Sequence, residues 1–245
     1  MTTPFTLTKA TEEVAFNLTK RGITDVPRDI NVSLLLDFSG SMDLQYRNGN
    51  VSRVLQRLLS ISNTIDDDGD MELILFHNNA YHYGTLNVNQ YEDTDDIVSD
   101  IISKYSMGGT EFAPAVLKAL EVLGADTVKS SVAKTRSFFK RLFSLGAQEE
   151  TCQRVPGKQL LVMISDGDNS DRRDFNETVK LIENMPNVYL QCVSVGYEST
   201  YLQQIADQSD SIGYSSLQDF SKTDDALIES IINKELLNKF ALVEA

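Results

Sequence analysis

The sequence predicts an α/β fold: a doubly wound, mostly parallel sheet with helices on both faces and one short antiparallel edge strand. Three observations carry this reading. Ile30 to Asp37, Leu160 to Asp166 and Val188 to Val195 are short, nearly continuous apolar runs, the composition of strands buried on both faces. Apolar residues between such runs recur at helical spacing. The first two runs end abruptly in an acid, Asp37 and Asp166, at the edge where an open α/β sheet presents its ligands.

Taken in order, Ile30 to Asp37 reads as the first strand. Val51, Val54, Leu55, Leu58, Leu59 and Ile65 then trace one face of a helix. Met71 to Phe76 is a second strand, and Ala80 to Leu86, with its polar alternation, suits a short edge strand. The acids from Glu92 to Asp96 open a helix through Ile97, Ile101 and Ile102, where negative charge complements the helix dipole. Pro114 fits the first turn of the next helix, which turns Val116, Leu117, Leu120 and Leu123 inward. After the strands at Leu160 and Val188, Ile212 to Tyr214 reads as the last strand. Thr223 is a candidate N-cap for one C-terminal helix reaching Phe240, with Leu227, Ile228, Ile231, Ile232 and Leu236 on its apolar face.

At 245 residues and 41% hydrophobic content the chain suits one large domain. Residues 28–245 form that domain, and 1–27 a lead-in packed on it. No run approaches the roughly 18 apolar residues of a membrane span, and the N-terminus lacks the basic and apolar parts of a signal peptide. Cys192 sits in an apolar strand pattern and Cys152 in a polar stretch, which fits a reducing cytoplasm. The net charge is −14, so the chain repels nucleic acid and anionic membranes and attracts cations or basic surfaces.

Three segments carry candidate chemistry. The first strand runs into Asp37-Phe38-Ser39-Gly40-Ser41, delivering one carboxylate and two hydroxyls to the sheet edge. Met107-Gly108-Gly109-Thr110 precedes a helix, and the strand from Leu160 ends in Asp166-Gly167. These are hard oxygen donors, suited to Mg²⁺ or Mn²⁺ and poorly suited to zinc or copper. An Asp/Ser turn that caps the following helix is the plainer reading of the pentad alone. Gly40 is read as permitting the tight turn between the two serines, and Gly108 and Gly109 as letting the Thr110 loop come close. Asp166-x-Asp168-x-Ser170 mimics a calcium loop, but Asp171 stands where that loop needs glycine, and a strand rather than a helix precedes it. Asp43 and Asp168 are read as supporting or merely surface acids. His77 and His82 are read as structural or exposed, and Asp66, Asp67, Asp68 and Asp70 as a solvated loop.

The order Asp-x-Ser-x-Ser, then Gly-Thr, then apolar strand-Asp-Gly resembles the metal-ion-dependent adhesion site of von Willebrand factor type A (vWA) domains, over roughly residues 28 to 240. Its five positions are filled by Asp37, Ser39, Ser41, Thr110 and Asp166. Finer features resemble the tellurite-resistance-associated (Ter-type) branch: Phe5 to Lys9, Asn17 to Gly22, Tyr46-Arg47, Asp66 to Gly69, and Leu75-Phe76-His77. The resemblance implies that Ser39, Ser41 and Thr110 bind the ion directly, while Asp37 and Asp166 act mainly through bound waters. Neutral ligands leave the ion electrophilic, so an Asp or Glu from a protein partner can complete its coordination. It also implies a C-terminal helix that moves when the site rearranges, and a bacterial or phage-borne stress role.

One stretch departs from that pattern. The segment at about 125–157 is longer than a helix-to-strand connection requires. Within 129–145 it sets Lys129, Lys134, Arg136, Lys140 and Arg141 beside Phe138, Phe139, Leu142, Phe143 and Leu145. It suits either an added surface helix or a basic amphipathic docking segment offering a second partner contact. Among function classes, a metal-dependent protein-binding domain is favoured over an enzyme. A Mg²⁺-dependent phosphatase is the alternative, weakened because Ser39 stands where such enzymes place a second Asp. A metal-free scaffold is the third reading. No phosphate-binding glycine motif occurs.

Overall fold

In the computed structural model, residues 7–20, 22–23, 26–124, 155–219 and 224–240 are described. The lead-in residues Phe5 and Thr6, the basic segment's 125–154, Cys152 and the Thr223 cap lie outside them. The described elements are α1 (Leu7–Lys20), β1 (Ile30–Asp37), α2 (Asp43–Arg47), α3 (Asn50–Ile65), β2 (Met71–Phe76) and β3 (Ala80–Leu86). Then come α4 (Thr94–Lys104), α5 (Phe112–Val122), β4 (Lys158–Ser165), α6 (Arg172–Glu183), β5 (Val188–Val195), α7 (Thr200–Ala206), β6 (Ile212–Leu217), α8 (Asp224–Ile231) and α9 (Lys234–Lys239). Short 3₁₀ turns at Gly40–Met42 and Val88–Asp93 precede α2 and α4.

The strands form one six-stranded sheet in the order β3-β2-β1-β4-β5-β6. Every neighbouring pair is parallel except β2 with the edge strand β3, which is antiparallel. β1, β4 and β5 are buried almost throughout, as their continuous apolar sequences require. Alternate strand residues feed two cores. Val32, Leu34 and Leu36 pack with α1, α3, α4, α8 and α9 on one face. Leu35, Ile74, Leu161 and Met163 pack with α5, α6 and Leu202 of α7 on the other.

The chain winds from β1 to β2 and β3 on one side, then returns to β4, β5 and β6 on the other. The sheet therefore reverses direction between β1 and β4, and the crevice outside their C-terminal ends is where ligands of such folds bind. Asp37 closes β1 there, and Asp166 follows β4 directly.

Two expectations need correction. The C-terminal helix is not continuous: it breaks at Ile232 and Asn233, and the Asn233 side chain caps α9 by accepting from Leu236 N at 2.9 Å. Asn233 also donates to Gln191 Oε1 at 2.6 Å, so the break is held by a buried strand. The apolar periodicity runs across it, since Leu227, Ile231, Ile232, Leu236 and Phe240 are all buried, and so hid it. Asp66 is not solvated: it is 7% exposed, ends α3 and pairs by its backbone with Asp29, while Asp67 and Asp68 remain exposed.

Candidate metal centre

Three loops meet at the crevice. The loop after β1 is tied to the Gly108 loop by Gly40 N–H donating to Gly108 O at 3.0 Å. Phe38 O accepts in return from Gly108 N at 3.4 Å, forming a parallel bridge between Ser39 and Gly108. The loop after β4 is tied to the same segment by Ser170, whose N–H and hydroxyl both donate to Thr110 O, at 3.0 and 3.1 Å.

The five candidate residues come together on this frame. Ser39 Oγ and Ser41 Oγ are 3.0 Å apart, and Ser41 Oγ donates to Asp166 Oδ1 at 2.7 Å. A Cβ built on Gly167 would stand 3.7 Å from Thr110 Oγ1 and 3.9 Å from Ser41 Oγ, so both hydroxyls border the same space. Asp37 and Ser39 are buried, Thr110 and Asp166 half-buried, and Ser41 exposed. The cluster thus has a closed floor and an open side.

Asp37 is the floor. Its Oδ1 accepts from Ser39 N at 2.7 Å and its Oδ2 from Ser165 Oγ at 2.5 Å. Its backbone oxygen accepts from the buried Tyr46 hydroxyl at 2.9 Å. Burial nonetheless pushes its carboxyl up to about 6. The hydroxyl and amide bonds pull the other way, and the neighbouring Asp166 adds to the rise. A buried acid facing a second acid, with only neutral donors for compensation, calls for a cation.

The donor set fits a hard divalent ion. Adjacent oxygens of an octahedron with bonds of about 2.1 Å lie about 3 Å apart, the separation between Ser39 and Ser41. Among the described residues no group of three or more His, Cys, Asp or Glu could hold a metal, so a site here must draw on hydroxyls. That composition matches oxygen-loving Mg²⁺ or Mn²⁺ and disfavours zinc.

His77 is structural, as read from the sequence, whereas the positioning roles of Asn78 and Asp171 escaped that reading. His77 Nδ1 accepts from Asn78 N at 2.6 Å, and Asn78 Oδ1 accepts from Gly109 N at 2.7 Å. A Cβ on Gly108 would fall 2.8 Å from His77 Nδ1, and one on Gly109 2.9 Å from Asn78 Nδ2. The paired glycines therefore admit the His77-Asn78 turn against the Thr110 loop. Gly40 carries no such demand: its φ is ordinary and the nearest atom to an added Cβ is Gly108 O at 4.0 Å. Asp171, considered above only as the misfit of a calcium loop, accepts from Phe112 N and Ala113 N at 3.0 and 2.8 Å. It caps α5 from across the crevice and so steadies Thr110 two residues upstream. Asp43 pairs with Arg47 at 2.8 Å and Asp168 with Arg172, both on the surface. His82 pairs with Glu72 at 2.6 Å, far along the edge strand.

Comparison with known proteins agrees with this architecture. A family model described as vWA-TerF-like, "vWA found in TerF C terminus", matches residues 29–236. A von Willebrand factor type A structure from Catenulispora acidiphila superposes over 83% of this chain and 42% of its own, with TM-score 0.52 and 14% identity. The conserved hypothetical protein BatB from Bacteroides thetaiotaomicron does so over 86% of this chain and 99% of its own, with TM-score 0.50 and 17% identity. Over 110 residues, 44% of this chain, the sequence is 28% identical to Uncharacterized protein YcbR of Bacillus subtilis (strain 168), and that match spans 43% of YcbR. The structural likenesses show the fold. The chain belongs to the vWA-TerF-like family, and vWA domains are typically protein-interaction domains. No helix among the described residues is long and apolar enough to cross a membrane.

Proposed function

We propose that this vWA domain binds a protein partner through a divalent ion, Mg²⁺ or Mn²⁺, held by Asp37, Ser39, Ser41, Thr110 and Asp166. The observation that carries the reading is the convergence of five oxygen-bearing side chains from three loops on one crevice, open on one side. When bound, the ion offers an electrophilic position that a partner's Asp or Glu completes. The chain's own residues would hold it: the Ser39, Ser41 and Thr110 hydroxyls would bind it directly, and the Asp37 and Asp166 carboxylates would balance its charge.

The surroundings support docking over catalysis. Asp37 is buried with both carboxylate oxygens already accepting hydrogen bonds, a poor arrangement for a nucleophile. His77 spends its Nδ1 on the Asn78 amide. The Ter-type resemblance extends the proposal to a bacterial or phage-borne tellurite or stress-resistance system, in the cytoplasm, with the basic segment 129–145 as a second partner contact.

The test is calorimetric titration with Mg²⁺ and Mn²⁺, paired with affinity capture in Mg²⁺ or EDTA. Asp37→Ala should lose metal binding in a folded protein, and Thr110→Ala and EDTA should both release the partner. Unchanged metal binding in Asp37→Ala overturns the site, and a partner retained through both treatments overturns metal-mediated docking.

A further inference from the structure

The opposite end of the sheet carries a second polar site. At the N-terminal ends of β1, β2 and β4 lies a cleft of 510 Å³. Its floor is a polar row on the sheet face that is apolar beneath α5. Ser33 is in register with Glu72, and Glu72 with Thr85; Asn31 is in register with Gln159. Two residues along the same strands, Leu35, Ile74 and Leu161 belong to the core beneath α5. The row begins where α5 ends, and Leu123 just beyond it lines the cleft.

Two acceptors on this floor lack donors. Ser33 is 1% exposed and Gln159 2%, both line the cleft, and neither Ser33 Oγ nor Gln159 Oε1 has a hydrogen-bond partner. The Gln159 amide is held by its own Nε2, which donates to Pro156 O, so Oε1 is left as an unmet acceptor. Buried acceptors of this kind are rare because they are costly, and they point to a donor that arrives with a ligand.

The charge of the cleft says what the donor is. Asp66, Asp68, Asp70 and Glu72 also line it, and no Lys or Arg is among the described lining residues. Burial and mutual repulsion raise the carboxyls of Asp66 and Asp70, as expected of acids short of a counter-ion. Glu72 is partly satisfied by His82 and Thr85. The acids are spread along the cleft, and no trio of His, Cys, Asp or Glu among the described residues could hold a metal. An extended cation with N–H donors therefore fits better than a single ion. Leu123 and Pro156, which keep exposed surface, supply apolar wall for a hydrocarbon stem.

We infer that this cleft binds a linear alkyl-diammonium of the diamine or polyamine class. One ammonium donates to Gln159 Oε1 and Ser33 Oγ, its methylenes lie along the apolar wall, and the second ammonium pairs with Asp68 and Asp70. The inference is independent of the metal centre, which lies at the other end of the strands.

The test is calorimetric titration of the full chain with 1,5-diaminopentane and spermidine at constant ionic strength, with tetramethylammonium, which has no N–H donor, as control. The expected result is saturable one-to-one binding of the diamine, tenfold or more weaker in Gln159→Met and in Asp68→Asn. Asp68 is exposed, so its variant keeps the test open if Gln159→Met fails to fold. Asp37→Ala should bind the diamine undiminished while losing Mg²⁺. Absence of saturable binding, equal binding of tetramethylammonium, or undiminished binding in the variants overturns the inference.

Discussion

The substitution Asp37→Asn should stabilise the metal-free protein at neutral pH while removing its metal site. The magnitude follows from the floor of the crevice. The Asp37 carboxyl is displaced from 3.8 to about 6 by burial, with Asp166 adding to the rise. At about 1.4 kcal/mol per pH unit, its ionised form costs the fold about 3 kcal/mol. The sign is fixed by linkage. Because the folded-state value lies above the unfolded one, the folded protein holds the extra proton between pH 3.8 and about 6. Stability from this group is complete below that window, falls through it, and is flat above it. An asparagine side chain keeps an oxygen for Ser39 N and an amide for Ser165 Oγ, so the two hydrogen bonds survive without the charge. Urea denaturation of both proteins in EDTA, from pH 4 to 7.5, measures the difference directly. The variant and the wild type should match near pH 4, and the variant should be ahead by about 2 to 3 kcal/mol at pH 7. Saturating Mg²⁺ should then restore only the wild type, since binding to the folded state alone stabilises it. A variant that is less stable than wild type at pH 7 in EDTA, or a difference that does not change with pH, would refute the reasoning. Either outcome would mean that the buried carboxylate is already compensated.

Other residues of the frame should respond in graded fashion. Ser165→Ala removes the donor to Asp37 Oδ2 and should cost about 1 to 2 kcal/mol at pH 7 by denaturation, with a rise in the pH at which Mg²⁺ binding is lost. Asp171→Ala removes the acceptor of the hydrogen bonds donated by Phe112 N and Ala113 N at the start of α5. About 1 to 2 kcal/mol of stability should go, and calorimetry should show weaker Mg²⁺ binding although Asp171 is not among the proposed ligands. Gly108→Ala should disturb the Thr110 loop through His77 and weaken metal binding, whereas Gly40→Ala should be near neutral in the same titration. Asn233→Ala uncaps α9 and frees Gln191, and its denaturation midpoint should fall by an amount equal to about 1 to 2 kcal/mol.

The candidate site was legible because its chemistry is local. A strand that must be buried on both faces is written as a continuous apolar run, so Ile30–Asp37 and Lys158–Ser165 could be placed to within a residue or two. The acid that ends each run must then sit at the sheet edge, and the spacing of Ser39 and Ser41 puts their hydroxyls beside it. What tertiary structure alone decided involves partners far apart in the chain. Ser165 reads as the last residue of an apolar strand until the pairing of β1 with β4 brings its hydroxyl to Asp37. Asp171 stands in the sequence only as the residue that spoils a calcium loop, until α5 begins against it. The break at Asn233 is invisible to a periodicity that continues through it, and depends on Gln191 arriving from β5. Ser33 and Gln159 become a shared floor only because the sheet order sets β1 and β4 side by side. Periodicity reports which face a residue turns to, but hydrogen bonds across the sheet depend on which strand lies next to which, and that is settled only when the whole core packs.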